Sequence, residues 1–215
     1  MELDFELGEG VALAFIPGQY INVHGCMRPG GPYTGRSYTI ASGLDDAFIR
    51  IAVRKRGEFS SFLHNLAIGD SVIADGPHGT LCPSEDGTPQ VCLAAGIGIC
   101  PFLSWVRASF PSGAPLRILV TNSTEARSPY VGELLRRVSK DDQVSVTSFL
   151  TQQQFPPNHE SILRRMNAGD IKQALAQAPD AVISICGSIS FTRDMRKAAL
   201  SLGVQEDRIL TEAFF

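Results

Sequence analysis

Between Gln90 and Phe110 a short apolar run, Gln90 to Ala94, passes through Gly96-Ile97-Gly98-Ile99-Cys100-Pro101 into a helical stretch opening at Pro101. Few architectures accept that succession. A short, unbroken apolar run reads as a strand buried on both faces, and such a strand needs helices to cover it. The theme continues downstream. Strands are predicted at Leu116 to Val120, Val144 to Leu150, Ala181 to Cys186 and Arg208 to Thr211. Helices are predicted from Pro101 to Phe110, around Val131 to Val138 with Leu134 and Leu135 inward, near Asp170 to Gln177, and from Phe191 to Leu202. This alternation predicts an α/β doubly wound parallel sheet over residues 89–215.

Residues 1–84 follow a different grammar. Tyr20 to His24, Ser37 to Ser42, Ala47 to Arg54 and Ser71 to Asp75 carry β-branched and aromatic residues between Gly, Pro and Asp clusters. One short helical stretch, Ser60 to Leu66, interrupts them. Closely spaced strands with a single helix predict a small antiparallel β-barrel. Only one plausible strand, near Leu3 to Leu7, precedes Pro17-Gly18, so a first barrel strand is expected to be missing. Either the chain belongs to a longer protein whose other domains precede it, or the barrel has an open edge. The polar, breaker-rich segment Ser84-Glu85-Asp86-Gly87-Thr88-Pro89 is the expected domain boundary.

Composition narrows the function classes. The 215 residues are 44% hydrophobic and 19% charged, which suits a globular chain long enough for two small domains. The net charge of -3 gives no basic field for nucleic acid, and no apolar run is long enough to span a membrane. Met1 opens an acidic stretch rather than a signal peptide. Five cysteines (Cys26, Cys82, Cys92, Cys100, Cys186) form no C-x-x-C pair, which argues against disulfides and a metal site and for a cytoplasmic protein. His24, His64, His78 and His159 are dispersed and read as structural or exposed.

Four segments can carry chemistry. Gly96 and Gly98 let backbone approach a pyrophosphate, and a helix N-terminus that follows, with Pro101 in its first turn, supplies free N–H groups. The third glycine of a G-x-G-x-x-G turn is absent, so a ligand-free β–α turn also fits. Arg36-Ser37-Tyr38-Thr39 sets a cation, a planar phenol and a hydroxyl on one strand, with Arg36 and Tyr38 on one face. Arg suits a phosphate and Tyr a flat heterocycle, although a surface Arg beside a core Tyr is the plain alternative. Gly57-Glu58-Phe59-Ser60 runs into a helix as an anion site or simply as an N-cap. Cys186-Gly187-Ser188 ends a predicted parallel strand, the edge where ligands collect, though a lone buried Cys often only packs.

In this order the segments, with Gly76-Pro77-His78-Gly79 and the terminal Glu212-Ala213-Phe214, resemble the ferredoxin–NADP reductase superfamily over nearly the whole chain. The resemblance implies a flavin-binding barrel followed by a nicotinamide-binding domain. It implies FAD rather than FMN, and NADH or NADPH as electron donor. Tyr38 is then expected to stack on the isoalloxazine, Thr39 to lie near flavin N5, and Arg36, beside Ser37, to pair with the diphosphate. Backbone around Ala52, Val53 and Arg54, with Gly57, Phe59 and Ser60, is expected to hold the rest of the flavin. Gly96, Gly98 and Pro101 would flank the nicotinamide nucleotide, with Thr121, Asn122, Ser123 and Arg127 near its ribose. Cys186, with Gly187, would approach the nicotinamide C4, and Glu212 and Phe214 would border the flavin. Thr39, Cys186 and Glu212 are the expected catalytic residues, and Glu125 and Arg127 offer both signs for choosing the donor. Ser188 stands where relatives usually carry Pro, which predicts a looser loop, and the chain ends at Phe214-Phe215. The implied activity is hydride transfer to FAD and electron delivery to an iron–sulfur, haem or oxygenase partner, which could be fused N-terminally. A free-standing flavin reductase and a catalytically silent docking module are the alternatives.

Overall fold

Alternation along Gln90–Ala95 sends Val91 and Leu93 to one face and Cys92 and Ala94 to the other, and all four are fully buried. That strand is the middle of the C-terminal sheet. The structure, a computed structural model, describes residues 1–28, 30–84, 86–108, 114–138, 143–155 and 157–214. Phe110 at the predicted end of the second helix, Glu85 in the boundary segment and Phe215 lie outside the described residues.

Five N-terminal strands, β1 (Glu2–Phe5), β2 (Tyr20–Cys26), β3 (Tyr33–Thr39), β4 (Ile49–Ala52) and β5 (Ile73–His78), pair only antiparallel. They form two sheets, β1-β4 and β3-β2-β5, linked by a single bridge between Ile40 and Ile51. The predicted barrel is thus not closed by strand pairing among the described residues, and β1 and β5 are edge strands. The strand expected near Leu3 to Leu7 exists as β1, and it starts earlier because Glu2 pairs with Ala52. The third predicted strand is also displaced. Tyr33 to Ser37 joins it because β2 reaches to Cys26 and supplies partners, and Ile40 leaves it for the bridge to Ile51. Helix α1 (Glu58–His64) buries Phe59 and Leu63 against Ile21, Val23, Ile40, Ile49, Ile51 and Val53. It begins before the predicted Ser60 because Gly57, in extended backbone, is its N-cap.

The C-terminal strands β6 (Gln90–Ala95), β7 (Leu116–Asn122), β8 (Val144–Leu150), β9 (Val182–Ser188) and β10 (Ile209–Phe214) form a parallel sheet ordered β10-β9-β6-β7-β8. Helices α2 (Cys100–Arg107), α3 (Val131–Val138), α4 (Ala168–Gln177) and α5 (Ile189–Ser201) cover it. On one face Phe102, Leu103 and Trp105 of α2 and Leu134 of α3 pack on Ile118 and Val120, with Leu135 half-buried beside them. On the other, Ile171 and Ala174 of α4 and Ala199 of α5 meet Leu93, Leu119, Phe149 and Ile185. Chain order runs outward from β6 through β7 to β8, then returns to β9 on the far side of β6. The C-terminal ends of β6 and β9 therefore flank the point where strand order reverses, the position at which open α/β sheets bind ligands.

Helix α2 also fastens the two halves together. Ser104 Oγ donates to Ser42 O at 3.2 Å, and Arg107 Nη1 donates to Ala41 O at 2.6 Å. Arg107, with 8% of its side chain exposed, also ion-pairs Glu133 at 2.8 Å and Glu2 at 3.3 Å. At Gly18, whose φ is +102°, an added Cβ would lie 2.6 Å from Trp105 Nε1 and overlap the Leu81 carbonyl, so the first half seats on α2 only with glycine there.

Candidate functional site

The turn after β6 takes Gly96 through φ +57° into a single 3-10 turn, Gly96–Ile99, and then into α2, with Pro101 buried in its first turn. A Cβ on Gly98 would stand 2.6 Å from the Cys186 carbonyl carbon and 2.8 Å from Gly187 N. A Cβ on Gly187 would stand 2.8 Å from the Phe191 ring and 2.9 Å from Ala95 Cβ. The two glycines thus let the turn and the end of β9 press together backbone to backbone. Arg54, from the other half, places Nη1 3.9 Å from the position of a Gly96 Cβ. A cation of the N-terminal half therefore lies over the glycine turn.

On β3, Tyr38 is half-buried and stacks on Phe59 with centroids 6.5 Å apart at 22°. Burial raises its phenol pKa. Arg36 is exposed, and among the described residues its Nη1 meets only the adjoining Gly35 carbonyl, at 2.7 Å. Thr39 is 4% exposed, and its Oγ1 is buried with no partner among the described residues. A hydroxyl so placed costs on the order of 1–3 kcal/mol unless something accepts from it.

Three expected ligand groups are already engaged inside the fold. Ser37 lies on the opposite face from Arg36 and Tyr38 and donates to Asn22 Oδ1 at 2.7 Å. There Asn22, His24 and His78 converge on Asp75, and their hydrogen bonds hold its carboxyl far below the ordinary range. Two histidines read as dispersed are thereby brought to one carboxylate, because antiparallel pairing of β2 with β5 joins residues 51 apart. Ser60 Oγ accepts from Arg56 N and Gly57 N, both at 2.9 Å, and donates to Gly57 O, so it closes its own turn. Val53 N donates to Met1 O at 2.8 Å, and Val53 O takes His64 Nε2 at 3.0 Å, so this backbone is committed within the half. Ala52 is buried beside it.

Beyond the turn, Cys186 is wholly buried, and burial together with the nearby Glu212 carboxylate raises its thiol pKa well above the ordinary value. Glu212 pairs in register with Cys186, and burial pushes its carboxyl up to about 7. Its Oε1 is buried without a partner among the described residues, and Oε2 lies 3.5 Å from the position of a Gly79 Cβ, at the seam of the two halves. Phe214 is half-buried against the cluster that contains Cys186. Ser188, expected to loosen its loop, caps α5 by accepting from Phe191 N at 3.4 Å. At the end of β7, Thr121 and Ser123 are half-buried, Arg127 is exposed, and Asn122 is 7% exposed, its Nδ2 without a partner among the described residues. Not foreseen from the sequence were the approach of Gly79, itself part of a quoted motif, to Glu212 and the Arg107 clasp, whose partners lie far away along the chain.

Residues 1–82 match the family described as the oxidoreductase FAD-binding domain. The chain is 25% identical over 227 residues to flavohemoprotein A of Dictyostelium discoideum, covering 98% of this chain and 55% of that protein. It is 36% identical over 124 residues to ferredoxin–NADP reductase B of Sorangium cellulosum, covering 55% of this chain and 50% of that protein. The flavohemoglobin of Malassezia yamatoensis, solved with FAD and heme, shares the fold at TM-score 0.84 and 24% identity over 100% of this chain and 56% of that one. The FAD/NAD binding domain of the nitric oxide dioxygenase of Vibrio cholerae shares it at 0.81 and 23%, over 95% and 87%. The chain spans about half the length of the curated relatives it matches.

Proposed function

We propose that this chain, whose residues 1–82 match the oxidoreductase FAD-binding domain, is a member of the ferredoxin–NADP reductase superfamily that binds FAD in its first half and a nicotinamide nucleotide in its second, with a domain boundary at residues 84–89. It acts as an NAD(P)H-dependent flavoprotein reductase. It delivers electrons to a haem, iron–sulfur or oxygenase component, which can be another domain of a longer chain. The observation that carries this reading is the reach of Arg54 over Gly96. A cation from the flavin half lies on the glycine turn at the strand-order reversal, where a bound pyrophosphate would bring its charge.

The residues present suit a flavin. Tyr38 offers a half-buried aromatic face, Arg36 an exposed guanidinium bonded to its neighbour's carbonyl, and Thr39 a buried hydroxyl that needs an acceptor. With Ser60, Ser37 and Val53 engaged internally, Arg36 is the side chain best placed for the diphosphate, and Gly57 and Phe59 contribute backbone at most. When bound, the flavin supplies the two-electron chemistry and passes electrons on singly. The chain itself supplies position. Gly96 and Gly98 offer a close backbone approach, and Pro101 starts α2 behind them. The Gly98 contact seats Cys186 and Gly187 under the same turn, and Phe214 packs against the cluster containing Cys186. Glu212, neutral below about pH 7, can donate a hydrogen bond or hold a proton at Oε1. Cys186 stays a thiol and serves by shape rather than as a nucleophile. The five unpaired cysteines suit a reducing compartment, and we place the protein in the cytoplasm.

The test is flavin uptake followed by anaerobic reduction with NADH or NADPH. A yellow protein that bleaches with a donor and recolours with an artificial acceptor is expected. A well-folded protein that takes up no flavin overturns the reading.

A further inference from the structure

On the reading that Thr39 and Glu212 border the flavin, we propose that Tyr20 is a positioning residue for the reaction, its ring forming the wall that keeps water from the Glu212 carboxyl. Tyr20 opens β2 and stands in register with Thr39 of β3 on one side and His78 of β5 on the other. Residues directly opposite in antiparallel strands share a face of the sheet, so the half-buried Tyr20 ring lies on the side to which Thr39 belongs.

Past β5 the chain turns back over that ring. Gly79 takes φ +98°, and a Cβ there would lie 3.0 Å from Tyr20 Cδ1, 3.1 Å from Tyr20 Cε1 and 3.5 Å from Glu212 Oε2. Ring and carboxyl thus close on one point from two sides, and a glycine fits between them. Gln19 pins the turn, its Nε2 donating to Gly79 O at 3.4 Å while its Oε1 accepts from Ile16 N at 2.8 Å. The ring is braced in turn by the His78 imidazole, with centroids 5.7 Å apart and tilted by 48°. Asp75 Oδ1 holds His78 Nε2 at 2.6 Å, and Asp75 is itself anchored by Asn22 at 2.9 Å and by His24. The histidine cluster and the carboxyl at the seam are therefore linked through one ring.

The other groups that face Glu212 leave the wall in control. From β9 comes Cys186, in register with it. From the segment after β5 comes Cys82, whose thiol pKa is raised by burial and by Glu212. Among the described residues no cation pairs with Glu212, and burial pushes its carboxyl up to about 7. Its proton is thus held by exclusion of water rather than by a charged neighbour. A neutral carboxyl can donate a hydrogen bond towards a cofactor that gains negative charge on reduction, whereas an ionised one opposes that charge.

The experiment reads the Glu212 proton in two ways, in wild type, Tyr20→Phe, Tyr20→Ala and His78→Ala. Thermal melts across pH, each against the matching Glu212→Gln variant, give one midpoint. Anaerobic stopped-flow reduction of the flavin-loaded proteins over the same range gives the other. Wild type and Tyr20→Phe should share a midpoint near 7, with reduction slowing above it. Tyr20→Ala should lower both midpoints by ~1 pH unit or more, a tenfold loss of proton affinity, as water reaches the carboxyl. His78→Ala removes an exposed side chain and frees the ring, and should lower them by about half as much; it decides the matter if Tyr20→Ala does not fold. An unmoved midpoint in the melts overturns the proposal. So does one that moves in the melts but not in the reduction profile, which leaves Tyr20 a packing residue and the reductase reading intact. A wild type that takes up no flavin refutes the reductase reading itself, and the positioning role with it.

Discussion

The Arg107 guanidinium forks onto Glu133, with Nε at 2.9 Å from one carboxylate oxygen and Nη2 at 2.8 Å from the other. Glu133 is held by α3 and Arg107 by α2, and the same guanidinium crosses to Ala41 O and Glu2 in the first half. Burial alone would lower the Arg107 pKa, but its carboxylate partners outweigh burial and raise it. Its charge is thus kept at the seam. Arg107→Ala strips this seam and removes the forked partner of Glu133, which keeps its ion pair with the exposed Arg137. We expect a loss of ~3 kcal/mol in urea unfolding. A loss below ~1 kcal/mol would mean that the clasp holds nothing the core does not.

Glu212 predicts a pH dependence. Its folded-state pKa, about 7, lies above the ordinary 4.5, so the native state keeps a proton that the unfolded chain has released. The associated stability is complete below 4.5 and is lost as pH rises through 7. Thermal melts of wild type and Glu212→Gln should therefore diverge between these values, with the variant relatively more stable at pH 8. Parallel melting curves across that window would show that the carboxyl is better solvated than its burial implies.

Thr39→Ala removes a buried hydroxyl that lacks a protein partner, so the fold should not suffer. The variant is expected to bind flavin and to be reduced by its donor roughly tenfold or more slowly, because an orienting contact is lost. Stopped-flow reduction under anaerobic conditions measures this. Wild-type rates would remove Thr39 from the site.

Gly18→Ala combines a backbone at φ +102° with overlap against Leu81 and Trp105. Neither neighbour can give way cheaply, since one is main chain and the other is wholly buried. Destabilisation of ~2 kcal/mol or more is expected. Gly87→Ala, also at positive φ but with open space around it, should cost less. Equal losses would put the whole effect in the dihedral.

Legibility followed the range of the interactions. The inward Leu134, the buried run of β6 and the glycine turn were readable because each depends on neighbours within a few residues. Helix α3 matches its predicted ends, Val131 and Val138. Strand limits in the first half were less readable, since Tyr33 belongs to β3 only because Cys26 lies opposite. Ser60 read equally as part of an anion site or of an N-cap, and only the folded turn engages its hydroxyl with Arg56 N and Gly57 N. The Arg107 clasp was invisible for the same reason at longer range, since Glu2 is 105 residues away. At the candidate site the glycines announced themselves, whereas the engagement of Glu125 by Asn158 and His159 depends on a loop that only the folded sheet brings back.

Gly98 lies against Cys186 and Gly187 without a side chain between them. In the proposed donor site, the support for a donor's phosphates and the floor beneath its reactive ring would consequently be one rigid piece, with no compressible layer to decouple them. An engineer who reshapes the turn to change how firmly a donor is gripped will also tilt the ring it presents, so grip and turnover in this protein should shift together.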